Sequence, residues 1–140
     1  MAVNLEIVSP ERLLLSRQVD MVVIPASEGD MGVLEGHAPA MVVLRGGIIA
    51  LYEGEQITDQ MYVAGGFAEV TPEHCTVLAN EVLAPSDLSR SEGEQRLAEA
   101  ERLYADVDAS DVLGEDLALE RIQSARALIE AVDALGGGGR

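Results

Sequence analysis

Few side chains in this sequence are equipped for nucleophilic or metal chemistry: two histidines, one cysteine, and the serines and carboxylates around them. His37 lies in the stretch PASEGDMGVLEGHAP, with Asp30 seven residues and Glu35 two residues ahead of it. A nucleophile–base pair would need Ser27 or Cys75 beside His37 or His74, and no elbow or triad spacing is present to bring them together. His74 and Cys75 are adjacent, so in a strand they point to opposite faces, which predicts a buried Cys75 and a solvated His74. Two histidines, one cysteine and no C-x-x-C do not make a zinc set. The acidic run Asp106, Asp108, Ser110 fails as a calcium loop: Asp111 falls where glycine is required, and Leu117 where the bidentate glutamate belongs. Gly29, Gly32 and Gly36 make no phosphate cradle, because no helical pattern follows them and the chain has no lysine. The residue types therefore predict a protein without catalysis, metal or cofactor. A small hydrolase using His37 is the enzyme reading to be tested against this.

Charge narrows the partners. The 140 residues hold 25 acids against nine cations, all of them arginine, for a net charge of −16. Nucleic acid and anionic lipid surfaces would be repelled. Apolar residues at 48 % speak for a packed domain rather than an acidic disordered tail. One Phe, three Tyr and no Trp cannot build a base-stacking platform. The start MAVNLEIVSPERLLL lacks the features of a signal peptide, and the charge-free runs are far shorter than the ~20 residues of a membrane helix. A lone cysteine suits a reducing compartment. These features predict a chain on the cytoplasmic side, with no direct membrane insertion.

Two patterns must position whatever function there is. Up to about Leu83 the apolar residues recur mostly with period two. Val3, Leu5 and Ile7 alternate, and Pro10 ends that run. Val19 to Ile24 is apolar on both phases except Asp20, as in a strand covered on both faces. Ile48–Tyr52 and Gln56–Val63 flank a turn at Glu53-Gly54, and Phe67–Thr71 and Thr76–Val82 complete the set. Such spacing predicts an antiparallel sandwich or barrel. The 25–39 stretch reads as a conformationally fixed loop suited to protein contact. After Pro85 the period changes. Ser86 or Asp87, or a Ser91–Glu94 capping box, can start a helix with Leu97, Ala100, Tyr104 and Val107 on one stripe. An acidic break over Asp106–Gly114 precedes a second helix, with Leu117 or Ala118, Ile122, Ala125, Ile129, Val132 and Leu135 on one face. The pair predicts an antiparallel hairpin, alanine-rich and only modestly stabilised by burial. The expected organisation is a sandwich over 1–85, a helical hairpin over 86–136 and a flexible glycine tail over 137–140.

Several motifs occur in a distinctive order. Ser9-Pro10-Glu11-Arg12 comes first, then Glu28-Gly29-x-x-Gly32-Val33-Leu34-x-Gly36-His37-Ala38-Pro39, then Gly46-Gly47, and then Gly65-Gly66-Phe67-x-Glu69-Val70. Over residues 3 to about 84 this order resembles the epsilon subunits of bacterial F-type ATP synthases, called delta in mitochondria. Glu35 departs from the family, where proline is common. The resemblance implies an all-β sandwich of about ten strands followed by a two-helix antiparallel C-terminal hairpin. It implies a non-catalytic central-stalk subunit that couples proton flow to ATP synthesis, peripheral on the cytoplasmic face of the bacterial inner membrane. Implied partners are the gamma subunit and the c-ring, with the beta subunit as a third candidate. By matching position, Ser9, His37, Met41, Val42 and Val43 would meet gamma, while Glu28, Asp30 and Met31 would lie at the c-ring.

The C-terminal half matches less well. Some relatives bind ATP through an (Ile/Leu)-Asp-x-x-Arg-Ala motif, and Leu88-Ser89-Arg90-Ser91-Glu92-Gly93 lacks its aspartate, arginine and alanine at the required offsets. In many relatives basic helices extend into the head and inhibit hydrolysis. Here Arg121 and Arg126 stand against Glu115, Asp116, Glu120, Glu130 and Asp133, so weak or absent inhibition is expected. The alternative from another class is a standalone sandwich adaptor for an unrelated protein partner.

Overall fold

In a computed structural model describing residues 2–135, the chain divides between Ala84 and Pro85 into two compact units. The first unit holds ten strands: β1 (Val3–Val8), β2 (Leu13–Val19), β3 (Met21–Ala26), β4 (Gly29–Leu34), β5 (Ala40–Leu44), β6 (Gly47–Glu53), β7 (Gln56–Val63), β8 (Gly66–Val70), β9 (His74–Ala79) and β10 (Val82–Leu83). The ladder runs β10-β7-β6-β3-β5-β8-β9-β1-β2, with β4 added on β3. Between β3 and β5 it narrows to one register pair, Ala26 with Leu44. That corner lets β2-β1-β9-β8-β5 and β4-β3-β6-β7-β10 close as two five-stranded layers over one core. Val3, Leu5, Ile7, Ala68, Val70, Cys75 and Val77 of the first layer share that core with Val22, Ile24, Val33, Ile49, Leu51 and Val63 of the second. Arg17 of β2 also bonds Asp59 of β7, linking the two layers through their side chains.

All pairings are antiparallel except β1 with β9. A parallel pair needs a long crossover, and here the chain from β2 to β8 supplies it. The turn expected at Glu53-Gly54 forms, with Gly54 at φ +61° and Glu53 in register with Gln56. The 25–39 segment corrects the loop expectation in part. Gly29–Leu34 is a full strand paired along β3, and only the Ser27-Glu28 turn and Glu35–Pro39 remain connections.

The second unit is a short 3₁₀ turn at Pro85–Asp87 followed by α1 (Arg90–Asp106) and α2 (Val112–Leu135). The α1 cap is none of the three anticipated, and Ser91 lies inside the helix. Ser89 is extended and its hydroxyl accepts the Glu92 N–H at 3.2 Å, because Pro85–Asp87 is already used by the 3₁₀ turn. Asp111 caps α2 by accepting the Gly114 N–H at 2.9 Å, so Gly114 lies inside the helix and not in the break. Contact of Gly93 with Ile129, and the Arg90–Asp133 ion pair, set the two helices antiparallel. A Cβ on Gly93 would lie 2.8 Å from Ile129 Cγ1, so the glycine permits this close approach. The predicted stripes hold in part: Ala100, Ala118, Ile122, Ala125 and Val132 are buried as expected. Tyr104 and Leu117 are exposed, whereas Gly93, Ala127, Leu128 and Ala131 are buried. The glycine tail at 137–140 lies outside the described residues.

Candidate interaction surfaces

Strand alternation builds an apolar surface on one layer of the sandwich. While Val42, Ala68, Val77 and Ile7 point into the core, the residues next to them point outward. Register aligns Val43 with Phe67, Phe67 with Leu78, Leu78 with Val8, and Val8 with Leu13. Side chains paired across strands share one face. These five residues therefore form an apolar row across β5-β8-β9-β1-β2. Val43, Phe67, Leu78 and Leu13 are each about half exposed, Val8 is half-buried, and Met41, one pleat along from Val43, is 66 % exposed. The neighbouring row is mostly polar, with Glu69, Thr76, Glu6 and Ser16 in register beyond Met41. A continuous apolar band with a polar margin is the form of a protein-contact surface, and nothing in it is equipped for catalysis.

Val42, one of the partner contacts that the resemblance implies, does not face a partner here. It is buried at 8 % exposure because alternation turns it inward, leaving Met41 and Val43 outward. Sequence reasoning missed Phe67, Leu78 and Leu13. Phe67 had a readable signal: it shares a phase with Glu69, opposite to Ala68 and Val70, so the chain's single phenylalanine lies on a solvent face.

His37 and Ser9 lie at opposite ends of this layer. In the β4–β5 connection Gly36 adopts φ +85° and donates its N–H to Pro72 O at 2.8 Å, while the His37 N–H reaches Leu34 O at 3.1 Å. The half-buried imidazole sits with Nδ1 2.7 Å from Ala38 O. Pro72 belongs to the β8–β9 turn, where β1 begins; Ser9 follows the last residue of β1. Six strand residues separate them, about 20 Å. Ser9 is fixed in the β1–β2 turn, its N–H and hydroxyl both donating to Arg12 O, at 3.0 and 3.3 Å.

The second surface is the β3–β4 turn. Ala26 is in register with Gly29, so Ser27 and Glu28 alone form its tip, and both are exposed. Asp30 is exposed on the outward phase, whereas Met31 is half-buried against the core. The pair Ala26–Leu44 places this turn at the same end of the sandwich as Ser9.

The groups suspected of chemistry take structural roles. Cys75 is in the core, and burial pushes its thiol up to about 11, which leaves it protonated and a poor nucleophile at neutral pH. His74 is exposed, its N–H bonded to Thr71 Oγ1 at 3.0 Å. Asp108 accepts from the Ser110 N–H at 2.9 Å and from its hydroxyl at 2.8 Å. Those two bonds hold its carboxyl below the usual aspartate range, an ordinary loop arrangement. Among the described residues no group of three His, Cys, Asp or Glu is arranged to hold a metal ion.

Comparison with known proteins decides the family. Residues 2–85 match the family model for the beta-sandwich domain of the ATP synthase Delta/Epsilon chain. The chain belongs to that family. The ATP synthase epsilon chain of Granulibacter bethesdensis is 60 % identical over 128 residues, covering 91 % of this chain and 95 % of that relative. The same-named chain of Gluconacetobacter diazotrophicus is 48 % identical over 131 residues, 94 % of this chain and 93 % of the relative. Both alignments exceed the length of the sandwich, so the relatives' similarity reaches into the C-terminal helices of this epsilon-family chain. A chain in the structure of the Euglena gracilis mitochondrial ATP synthase, OSCP/F1/c-ring, superposes with a TM-score of 0.69 at 26 % identity, covering 90 % of this chain and 80 % of that one. A chain from the Tetrahymena thermophila mitochondrial ATP synthase central stalk/c-ring gives 0.64 at 14 % identity, a likeness of fold, over 94 % and 96 %. No described helix is long and apolar enough to cross a membrane.

Proposed function

We propose that this chain is a non-catalytic central-stalk subunit of a proton-translocating F-type ATP synthase, turning with the rotor and coupling proton flow to ATP synthesis. In this reading it binds the gamma subunit through the apolar row and meets the c-ring at the β3–β4 turn. It works at the cytoplasmic face of the bacterial inner membrane without inserting. The observation that carries the reading is the row itself, Val43-Phe67-Leu78-Val8-Leu13, in a chain of the epsilon family. Half-exposed residues of this size bury enough apolar area, at ~25 cal/mol per Å², to anchor a partner. Ser9 and His37, at opposite ends of that layer, would then sit at the rims of one gamma footprint. The acidic turn suits polar, basic loops of the kind membrane subunits present to the cytoplasm.

Phe67→Glu and Leu78→Glu should each weaken gamma binding by about tenfold or more while leaving the fold intact, since neither touches the core. Titration of the purified subunit against gamma measures this. Unchanged affinity in both variants would overturn the assignment of the row. Binding to another protein with no affinity for gamma would instead favour the standalone adaptor.

Self-inhibition should be weak. α2 carries two arginines against five acids, a poor match for an acidic segment of the beta subunit. Deleting residues 87–140 should change ATP hydrolysis in membranes by less than about twofold. A several-fold rise would show that the hairpin inhibits.

A further inference from the structure

We propose that Arg45 is the positioning residue of the acidic β3–β4 turn, holding Asp30 in the orientation that docks on basic loops of the c-ring. The proposal rests on the reading of that turn as the c-ring contact, and it assigns a role to a cation outside the turn.

Arg45 follows β5 at the corner where the two layers join. Its backbone N–H donates to Pro25 O at 2.9 Å, and the Ser27 N–H donates to Val43 O at 2.9 Å, so two hydrogen bonds flank the Ala26–Leu44 pair. The side chain continues the same link. Nε donates to Ala26 O at 3.2 Å, and one terminal nitrogen lies 3.3 Å from Asp30 Oδ1. The other terminal nitrogen reaches Gly46 O at 3.4 Å. One planar fork therefore holds the last residue of β3 and the second residue of β4, on either side of a two-residue turn. Gly47 makes room for the corner: a Cβ there would lie 2.7 Å from Pro25 Cβ and 3.8 Å from Arg45 Nη1.

Three physical consequences follow. Glu28 and Asp30 place two negative charges within three residues at an exposed tip, and Arg45 offsets their repulsion. The Asp30 side chain stays 64 % exposed. An ionised carboxylate has acceptor sites on both oxygens, so Oδ1 can be held by Arg45 while Oδ2 receives a donor from a partner. The gain is preorganisation: the turn loses little freedom on docking because Arg45 has already restricted it. Only arginine suits this geometry, because a lysine ammonium is a point donor and cannot span Ala26 O and Asp30 in one plane. Val43 of the apolar row lies on β5, two residues before Arg45, which follows the end of that strand, so the two proposed docking surfaces meet at one corner.

The test uses the full chain with Arg45→Gln, Arg45→Lys, Asp30→Asn, Glu28→Gln and the Arg45→Gln/Asp30→Asn double variant. Three quantities are read: affinity for gamma, the concentration of subunit that restores ATP-driven proton pumping to depleted membranes, and ¹⁵N relaxation at Gly29, Asp30 and Gly32. Arg45→Gln should raise the restoring concentration about fivefold, the scale of one exposed charge-assisted contact, with gamma affinity unchanged. It should also increase motion at the three amides. Arg45→Lys should recover part of both effects. The double variant should be no worse than Asp30→Asn alone, because Arg45 acts through Asp30. Additive losses, or an Arg45→Gln variant with a normal turn and normal pumping, would overturn the proposal. If Asp30→Asn, Glu28→Gln and Arg45→Gln all pump normally while Arg45→Gln still loosens the turn, the c-ring reading fails and the docking role falls with it. Equal loss of gamma affinity and thermal stability in Arg45→Gln would reduce Arg45 to a structural corner.

Discussion

At the scale of single residues, the glycines differ sharply in what they must do. Gly66 begins β8 at φ +119°, and a Cβ there would lie 2.0 Å from Leu78 O and 2.9 Å from Ala79 Cα. Gly32, in β4, would meet nothing nearer than Met21 Sδ at 3.5 Å. Gly66→Ala should therefore cost ~3 kcal/mol or more, a large share of a small domain's stability, through both strain and collision. Gly32→Ala should stay within about 0.5 kcal/mol of the parent. Urea titrations of the two variants side by side check the contrast, and equal costs would refute it. Cys75 gives a second handle. Its thiol is buried and protonated, so a thiol-specific reagent at pH 8 should label the folded chain only as fast as the sandwich opens, and rapidly in urea. Fast labelling without denaturant would mean that the core around Leu5, Val70 and Cys75 breathes.

Elements repeat the same logic with more residues. Gly93→Val would drive a branched side chain into Ile129 and Leu128, separating α1 from α2. It should cost the hairpin about 1–3 kcal/mol and leave the strands untouched. Hydrogen exchange resolved by segment would show faster exchange over Arg90–Leu135 alone; faster exchange over β1 and β9 as well would contradict it. The Asp108 loop adds a pH term. Its carboxyl is held below the ordinary range by Ser110, so the stabilisation is complete above that range and is lost as pH falls through the lowered value. Legibility also varied by element. β1, β6, β7, β8 and β9 were readable because each alternates between core and solvent or is bounded by turn glycines. β2 was not, since LLLSRQV is exposed on both phases almost throughout as the last strand of its layer. β4 hid behind two glycines, and in β5 the run AMVVL is apolar on both phases, which concealed that Val42 faces in and Val43 out. The hairpin's faces were blurred because α2 buries Ala127 and Ala131 off the main stripe. The candidate surfaces were legible only as neighbourhoods. Register between strands distant in sequence made Val43, Phe67, Leu78, Val8 and Leu13 into one row, and no local pattern encodes register of that range.

For the molecule as a whole, the decisive quantity is charge. Residues 1–85 carry three arginines and 12 acids, and residues 86–140 carry six and 13, so neither part neutralises the other. The ion pairs Arg17–Asp59, Arg45–Asp30, Arg90–Asp133 and Arg96–Glu92, among the described residues, are all partly exposed. Each is worth at most about 1 kcal/mol and is itself weakened by salt. Repulsion among a net 16 negative charges acts over the whole surface when the Debye length is ~30 Å at 0.01 M ionic strength, and shrinks when it falls to ~8 Å at 0.15 M. Repulsion should outweigh the pairs. Raising salt over that range should lift the melting temperature by several degrees, since ~1 kcal/mol corresponds to about 4–8 °C for a domain of this size. The apolar row and the acidic turn should respond oppositely to the same change. Binding through the row should hold or strengthen, because it buries carbon surface and does not depend on attraction between charges. Docking through the turn should weaken, because it trades on attraction between Asp30 and a cation. Melting curves, titrations against gamma and the subunit concentration that restores proton pumping, across one salt series, separate these effects. A melting temperature that falls with salt would show the few arginine bridges to be worth more than the charge they oppose, and gamma affinity that falls would move the main contact from the apolar row to the carboxylates.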